Sequence, residues 1–442
     1  MKIIYFPILV SFGAIGEDIY AGNINSEVLP NIVIIVVDDM GYSDFACYGN
    51  KSHKTPNIDR LAKEGIIFTD FHTNGVVSSP TRAALMTGRY QQYSGIEGVI
   101  TAASHRKYGL STDIPTIAKL LKQKNYETAI FGKWHLGYDK KYNPVNHGFD
   151  RFVGYVAGNV DYFSHIDQEG YEDWWENDII KPEVGYTTDI ITDHAVEYIK
   201  EKKDRPFFVY VPYEACHYPL QGPNDRAVRS ISDGKLKVTG TGRADYEIIY
   251  KEMVESVDDN VGRIMKVIKD LKLDEETLIF FFSDNGGAKY ASNFPWSGGK
   301  GSLLEGGHRV SSIARWCGHI RPGSVSDEIL MTFDIMPTVC EATGIDMKGV
   351  EHDGYSILRM MTEGKAIPER TLFWRTRNGI CARKYTWKLH VDRKYEHVRL
   401  YNLKYDIEEK TNVAGYNTEI VKMLLDEIKK WDANFRYIKQ FS

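Results

Sequence analysis

The sequence predicts an α/β protein: a large mixed, mostly parallel sheet flanked by helices, then a small C-terminal α+β subdomain of antiparallel strands and a helix. Three observations carry this prediction. Asn31–Val37, Pro206–Val211 and Leu278–Phe282 are short, nearly continuous apolar runs, the pattern of strands buried on both faces. Helical patterns separate the strands: Asn57–Glu64, Ile114–Lys124, Thr188–Lys202 and the long Tyr246–Leu271, with Ile248, Met253, Val257, Val261, Ile264 and Ile268 on one side. Extended Ile66–Phe68 and Thr128–Phe131 complete the alternation. After Thr362 the pattern changes to short strands at Thr371–Trp374, Ile380–Arg383, Trp387–Val391 and Leu400–Leu403. A final helix over Asn417–Phe435 follows, with Ile420, Leu424, Ile428 and Trp431 at helical spacing.

This divides the 442 residues into a signal segment (1–21), a catalytic domain (22–362) and a C-terminal subdomain (363–442). The first segment has Lys2, an apolar run over Ile3–Ile15 and small residues at which cleavage after Gly16 or Ala21 is expected. Periplasmic or secreted localisation follows. The alternative is a buried first strand; the run is too short to span a membrane. No other transmembrane candidate occurs. Five scattered cysteines show neither zinc spacing nor a disulfide framework. Net charge is −5 with no basic tail, which argues against a nucleic-acid partner. Between Arg370 and Tyr405, however, ten Lys/Arg face two acids. That stretch reads either as a solvated strand face or as a surface for an anionic polymer.

Two clusters carry chemistry at strand ends. Asp38 and Asp39 follow the first strand, and Asp284 and Asn285 follow Leu278–Phe282. Open α/β sheets place ligands at these carboxyl ends. Three carboxylates and an amide make a hard oxygen set suited to Ca²⁺ or Mg²⁺; helix caps or turn residues are the plainer alternative. Near Ser78-Ser79-Pro80-Thr81, Ser79 is expected to cap a helix that Pro80 begins. Ser78 then lies at the helix N-terminus, where an anion is favoured.

The run S-S-P-T-R-A-A-L-M-T-G-R at Ser78–Arg89 resembles the signature of the type I, formylglycine-dependent sulfatases of the alkaline phosphatase superfamily. Further stretches are similar to that family in the same order: V-V-D-D-M-G-Y-S-D (Val36–Asp44), Y-E-T-A-I-F-G-K-W-H-L-G (Tyr126–Gly137) and P-F-F-V-Y (Pro206–Tyr210) leading to His217. They continue with F-S-D-N-G (Phe282–Gly286), G-G-K-G-S-L-L-E-G-G-H-R-V (Gly298–Val310) and F-D-I-M-P-T (Phe333–Thr338). One departure is Cys216, where the family usually has Pro before the histidine.

The resemblance implies an alkaline-phosphatase-like fold and hydrolysis of O-sulfate esters. Ser78 would be oxidised to formylglycine, whose hydrate is the nucleophile; a Ser at this position resembles bacterial serine-type glycan sulfatases, matured by a radical-type formylglycine-generating enzyme. Whether Ser78 is native or stands in place of Cys is open. Asp38, Asp39, Asp284 and Asn285, with the modified Ser78, would hold one Ca²⁺. Asp284 would also help deprotonate the nucleophile. Lys133 and Lys300 would hold sulfate oxygens, Arg82 would brace the hydrate, and His135 and His217 would transfer protons. The expected substrate is a sulfated glycan cleaved from its terminus, such as a mucin or glycosaminoglycan galactose or N-acetylhexosamine. His105, Arg106, Asp161 and Tyr162 are candidate sugar contacts, with Tyr171, Trp174 and Trp175 as stacking surfaces. The competing readings are a phosphodiester or phosphonate monoester hydrolase of the same superfamily, and a non-catalytic glycan-binding relative.

Overall fold

The computed structural model describes residues 28–435; the signal segment expected over 1–21 lies outside these. Seven principal strands form the first sheet: β1 (Asn31–Val37), β2 (Ile66–His72), β3 (Glu127–Lys133), β4 (Arg151–Tyr155), β5 (Phe207–Pro212), β6 (Thr277–Ser283) and β7 (Arg309–Arg315). With short edge strands they make one eleven-stranded sheet, whose central order is β2-β7-β6-β1-β5-β3-β4. From β6 to β4 every pairing is parallel, whereas β7 runs antiparallel to both β6 and β2. Every residue of β1, β5 and β6 is buried, as their continuous apolar runs require when helices cover both faces. Ile32, Ile34 and Val36 pack into one core layer and Val33, Ile35 and Val37 into the other, following the two-residue period of a strand. The strand β7 carries no such continuous run, so nothing local in its sequence marks its place in the sheet.

Helices Thr187–Lys202 and Tyr246–Asp270 lie side by side over one face. The expected Ile114–Lys124 helix is shorter, Ile117–Lys122, with Thr116 Oγ1 accepting from the Lys119 N–H as its cap. Among the described residues no helix is long and apolar enough to cross a membrane.

The second sheet is four-stranded and antiparallel: β8 (Leu372–Arg375), β9 (Gly379–Lys384), β10 (Trp387–Asp392) and β11 (Arg399–Asn402). Helix Thr418–Asp432 covers it through Leu424, Ile428 and Trp431. Four of the ten basic side chains between Arg370 and Tyr405 turn inward. Arg370 pairs with Asp334, Arg375 with Glu97 and Asp432, Arg383 with Asp70 and Glu305, and Lys388 with Glu305 and Glu409. Much of the basic segment therefore neutralises carboxylates between the two sheets instead of facing a polymer. His72, His308 and Glu305 meet in the same buried cluster. Arg383 and Lys388 already occupy that cluster as cations, so it reads as a charge-balanced joint.

Candidate active site

The carboxyl ends of β1, β3, β5 and β6 converge on one point. Asp38 and Asp39 leave β1, and Asp284 and Asn285 leave β6, all four buried. The chain turns sharply there: Asp39 has φ +60°, and His135, just beyond β3, has φ +58°. Asp and His tolerate this left-handed region better than most residues, and such conformations gather at functional sites.

Ser78 is 2% exposed and is the first residue of helix Ser78–Thr87. This corrects the expected start at Pro80. Val77, extended and without a side-chain cap, precedes the first turn. Pro80 falls within that turn, where its missing N–H would have no intrahelical partner anyway. Ser79 Oγ is committed elsewhere, accepting from the Ile100 N–H at 3.1 Å.

Arg82, one turn along, organises the centre. Its Nε donates to Ser78 Oγ at 2.7 Å, and its Nη2 donates to Asp284 Oδ2 at 2.9 Å and to Asp38 Oδ2 at 3.3 Å. Nη1 reaches Tyr210 Oη at 3.3 Å and the Lys133 carbonyl at 3.4 Å. Lys133 Nζ donates to Asp38 Oδ2, and Lys300 Nζ to Asp39 Oδ2 at 2.7 Å. His217 Nε2 is 3.7 Å from the same Asp39 oxygen. The structure thus joins Ser78, Arg82, Lys133, Lys300, His217, Asp38, Asp39 and Asp284 in one contact network. Tyr210 closes the Pro206–Tyr210 motif, and only the side-chain geometry reveals its contact with Arg82.

The residues fit a divalent cation. Asp38, Asp39 and His217 bring ligand-capable atoms within 4.8 Å of one another. Asn285 Nδ2 donates to Asp39 Oδ1 and to the Gly286 carbonyl. Asp38 Oδ1 and Asn285 Oδ1 are buried acceptors without a hydrogen-bond partner, and a cation on these hard oxygens would account for both. Burial, with the Asp38 charge beside it, raises the Asp284 pKa, the like-charge strain that a cation relieves.

Both histidines are held neutral. Burial, then the Lys133 and Arg82 charges, push His135 well below the ordinary histidine value. Its Nε2 lies 3.0 Å from the Ile100 carbonyl, which can only accept, so Nε2 carries the proton and Nδ1 keeps a lone pair. Burial and then the Lys300 charge depress His217 in the same way. Burial also lowers Lys133, while Lys300 is raised because Asp39 and Asp38 outweigh its own burial.

The expected sugar contacts fare differently. Asp161 is fully buried, and its carboxylate accepts the N–H groups of Phe163, Ser164, Val228 and Arg229. Tyr162, equally buried, donates its hydroxyl to the His217 carbonyl at 2.9 Å. Both shape loops. Trp174 and Trp175 are core residues as well, so they offer no face for stacking. Arg106 and Tyr171 are the exposed members of the set; the Arg106 guanidinium lies over the Tyr171 ring at 4.1 Å and 3.7 Å from Asp167. His105 ends the short helix Ala102–His105, and its Nδ1 accepts from the N–H of Thr101 just before that helix. That segment follows Ile100, which holds His135.

A hydroxyl at a helix N-terminus, five cationic or imidazole side chains and a hard oxygen cluster at the sheet's carboxyl end suit the hydrolysis of an anionic ester. Comparison with known proteins names the class. The sulfatase family model matches residues 30–345. N-acetylgalactosamine-6-sulfatase of Sus scrofa is 33% identical over 382 residues, covering 80% of this chain and 70% of that protein. Arylsulfatase A of Homo sapiens is 31% identical over 380 residues, covering 78% and 70%. The solved structure of Ps i-CgsB in complex with k-i-k-neocarrahexaose matches with TM-score 0.82 at 30% identity, over 92% of this chain and 94% of that one. The chain belongs to the sulfatase family and is a sulfuric ester hydrolase.

Proposed function

We propose that this sulfatase removes O-sulfate from a terminal or near-terminal sugar of a glycan, in the periplasm or outside the cell, after a maturase converts Ser78 to formylglycine. The observation that carries the reaction is the Arg82 bridge, which ties Ser78 Oγ to the Asp38 and Asp284 carboxylates. Carbohydrate sulfate as the substrate is supported by the N-acetylgalactosamine-6-sulfatase relative and by the relative solved with a neocarrahexaose.

Asp38, Asp39, Asp284 and Asn285 would hold the cation, proposed as Ca²⁺, which supplies charge stabilisation to the nucleophile and the sulfate. An aldehyde hydrate at position 78 would supply one hydroxyl to attack sulfur, displacing the sugar alcohol, and a second whose deprotonation would break the C–O bond to sulfate and return the aldehyde. Arg82 orients that hydrate and offsets its developing charge. Lys133 and Lys300 neutralise the sulfonyl oxygens; preorganised donors of this kind are usually the largest catalytic contribution. Binding of an anionic ester beside His217 favours its protonated form, against the depression set by burial. His217 then donates to the departing alcohol oxygen, a contribution of roughly 10²–10⁴-fold. His135, with its lone pair on Nδ1, accepts the proton of the second hydroxyl.

The test begins with peptide mass analysis of protein from its native host, where Ser78 should have lost two hydrogens. The modified enzyme is then assayed on sulfated mono- and oligosaccharides. Faster turnover of phosphodiesters than of any sulfated sugar would replace this reading with the phosphoester one.

A further inference from the structure

A cavity of about 630 Å³ lies between the Gly298–Leu304 loop and the ends of the second sheet. Gly301 and Ser302 form one wall, and Asn378, Asp392, His397 and Arg399 line the cavity on the sheet side. The wall is tied to the reacting centre through the chain. Lys300 precedes Gly301, and the Gly301 N–H donates to the Val76 carbonyl at 2.8 Å, two residues before Ser78. The volume falls within the usual range for a ligand pocket, about 300–1,000 Å³.

The charge lining this cavity differs from that of the rest of the subdomain. Arg370, Arg375, Arg383 and Lys388 are consumed by carboxylates, as described above. Arg399 opens β11, is exposed, and has no carboxylate within 4.0 Å among the described residues. The exposed His397 lies two residues before it, 4.0 Å from Asp392. Asp392 does not cancel Arg399: one of its oxygens accepts the N–H groups of Lys394 and Glu396, and the other faces His397. The cavity therefore offers a cationic fork with no carboxylate partner, the imidazole of His397, and amide and carboxylate groups that suit sugar hydroxyls.

We propose that this cavity binds the sugar next to the one being desulfated, and that Arg399, with His397, reads an anionic substituent on it. A guanidinium suits either a second sulfate ester or a uronate carboxylate, since both present a pair of anionic oxygens to its two parallel donors. This inference rests on the sugar-sulfate reading above. It makes Arg399 a specificity-determining residue that takes no part in the chemical step.

The test compares Arg399→Ala and Arg399→Lys with the unaltered formylglycine enzyme on four substrates. These are a sulfated monosaccharide and three disaccharides whose second sugar carries a sulfate, a uronate carboxylate or no charge. Arg399→Ala should raise KM roughly ten- to hundred-fold for whichever charged disaccharide the wild type prefers. The kcat should hold, and the monosaccharide and neutral disaccharide should be unaffected. Arg399→Lys should recover part of the loss. Calorimetric binding of the preferred disaccharide to unmodified Ser78 protein should weaken in parallel. Unchanged KM values across all four substrates, or an equal loss on the monosaccharide, would overturn the inference while leaving the sugar-sulfate reading intact. Absence of turnover of every sulfated sugar by the wild-type enzyme would overturn both.

Discussion

Replacing Glu305 by Gln tests whether the joint between the two sheets is held by buried charge. Glu305 is fully buried and directly follows the loop that carries Lys300. Its carboxylate accepts from Lys388 Nζ at 2.9 Å, Arg383 Nη1 at 2.9 Å and Arg309 Nη1 at 3.1 Å. Burial by itself would raise its pKa, but Lys388 and Arg383 overcome burial and hold it well below the carboxylate range. Glu305→Gln leaves three cations facing Asp70 and Glu409 alone, and it turns an amide N–H₂ toward donors. Breaking one partner of a buried ion pair typically costs about 3–5 kcal/mol, and that loss is expected at pH 7. Equilibrium urea unfolding, followed by tryptophan fluorescence and far-UV circular dichroism together, measures it. Because the folded pKa is depressed, the contribution is fully present above the unfolded carboxylate value of about 4.3 and is lost as pH falls through the lower folded value. Wild type and variant should therefore differ by a constant amount from about pH 6 to 8 and converge in strong acid. Adding Lys388→Met to Glu305→Gln should recover part of the loss, because it removes the stranded cation. A loss below about 1 kcal/mol at pH 7, or an undiminished difference in strong acid, would refute the reasoning.

Three further outcomes are expected. Lys300→Ala should lower kcat/KM by about 10²–10³-fold with an unchanged unfolding midpoint, measured by steady-state kinetics beside urea titration. Asp284→Asn should weaken Ca²⁺ binding in calorimetry and abolish turnover, and chelator-stripped enzyme should regain activity on adding Ca²⁺; full activity without metal would count against the oxygen cluster as a cation site. Asp161→Ala removes the acceptor of four backbone N–H groups, so its main effect should be a stability loss of roughly 2–4 kcal/mol, seen as a lower midpoint. A variant of full stability with altered substrate preference would restore Asp161 as a sugar contact.

The sequence alone determined the elements whose signal is local. Strands β1, β5 and β6 were legible because strands buried on both faces must be apolar throughout, and Tyr246–Asp270 because its apolar side repeats at helical spacing. The four strands and the helix of the C-terminal sheet were legible to within a residue or two at most ends, except at the helix's last turn. The strand-end carboxylates and the Ser78–Arg89 run were legible as motifs, and folding brings Ser78, Asp38 and Asp284 together on Arg82. Tertiary structure decided what each polar residue is paired with, because partners lie far apart along the chain. Asp161 and Tyr162 sit between motifs like specificity residues, yet both are spent on backbone groups of the loops near His217. The basic stretch after Arg370 gives its charge as composition, whereas its meaning depends on Asp70, Glu97, Glu305 and Asp334, which only folding brings alongside. The antiparallel β7 is likewise invisible locally: its mixed polar and apolar residues become buried through the neighbours they acquire on both sides.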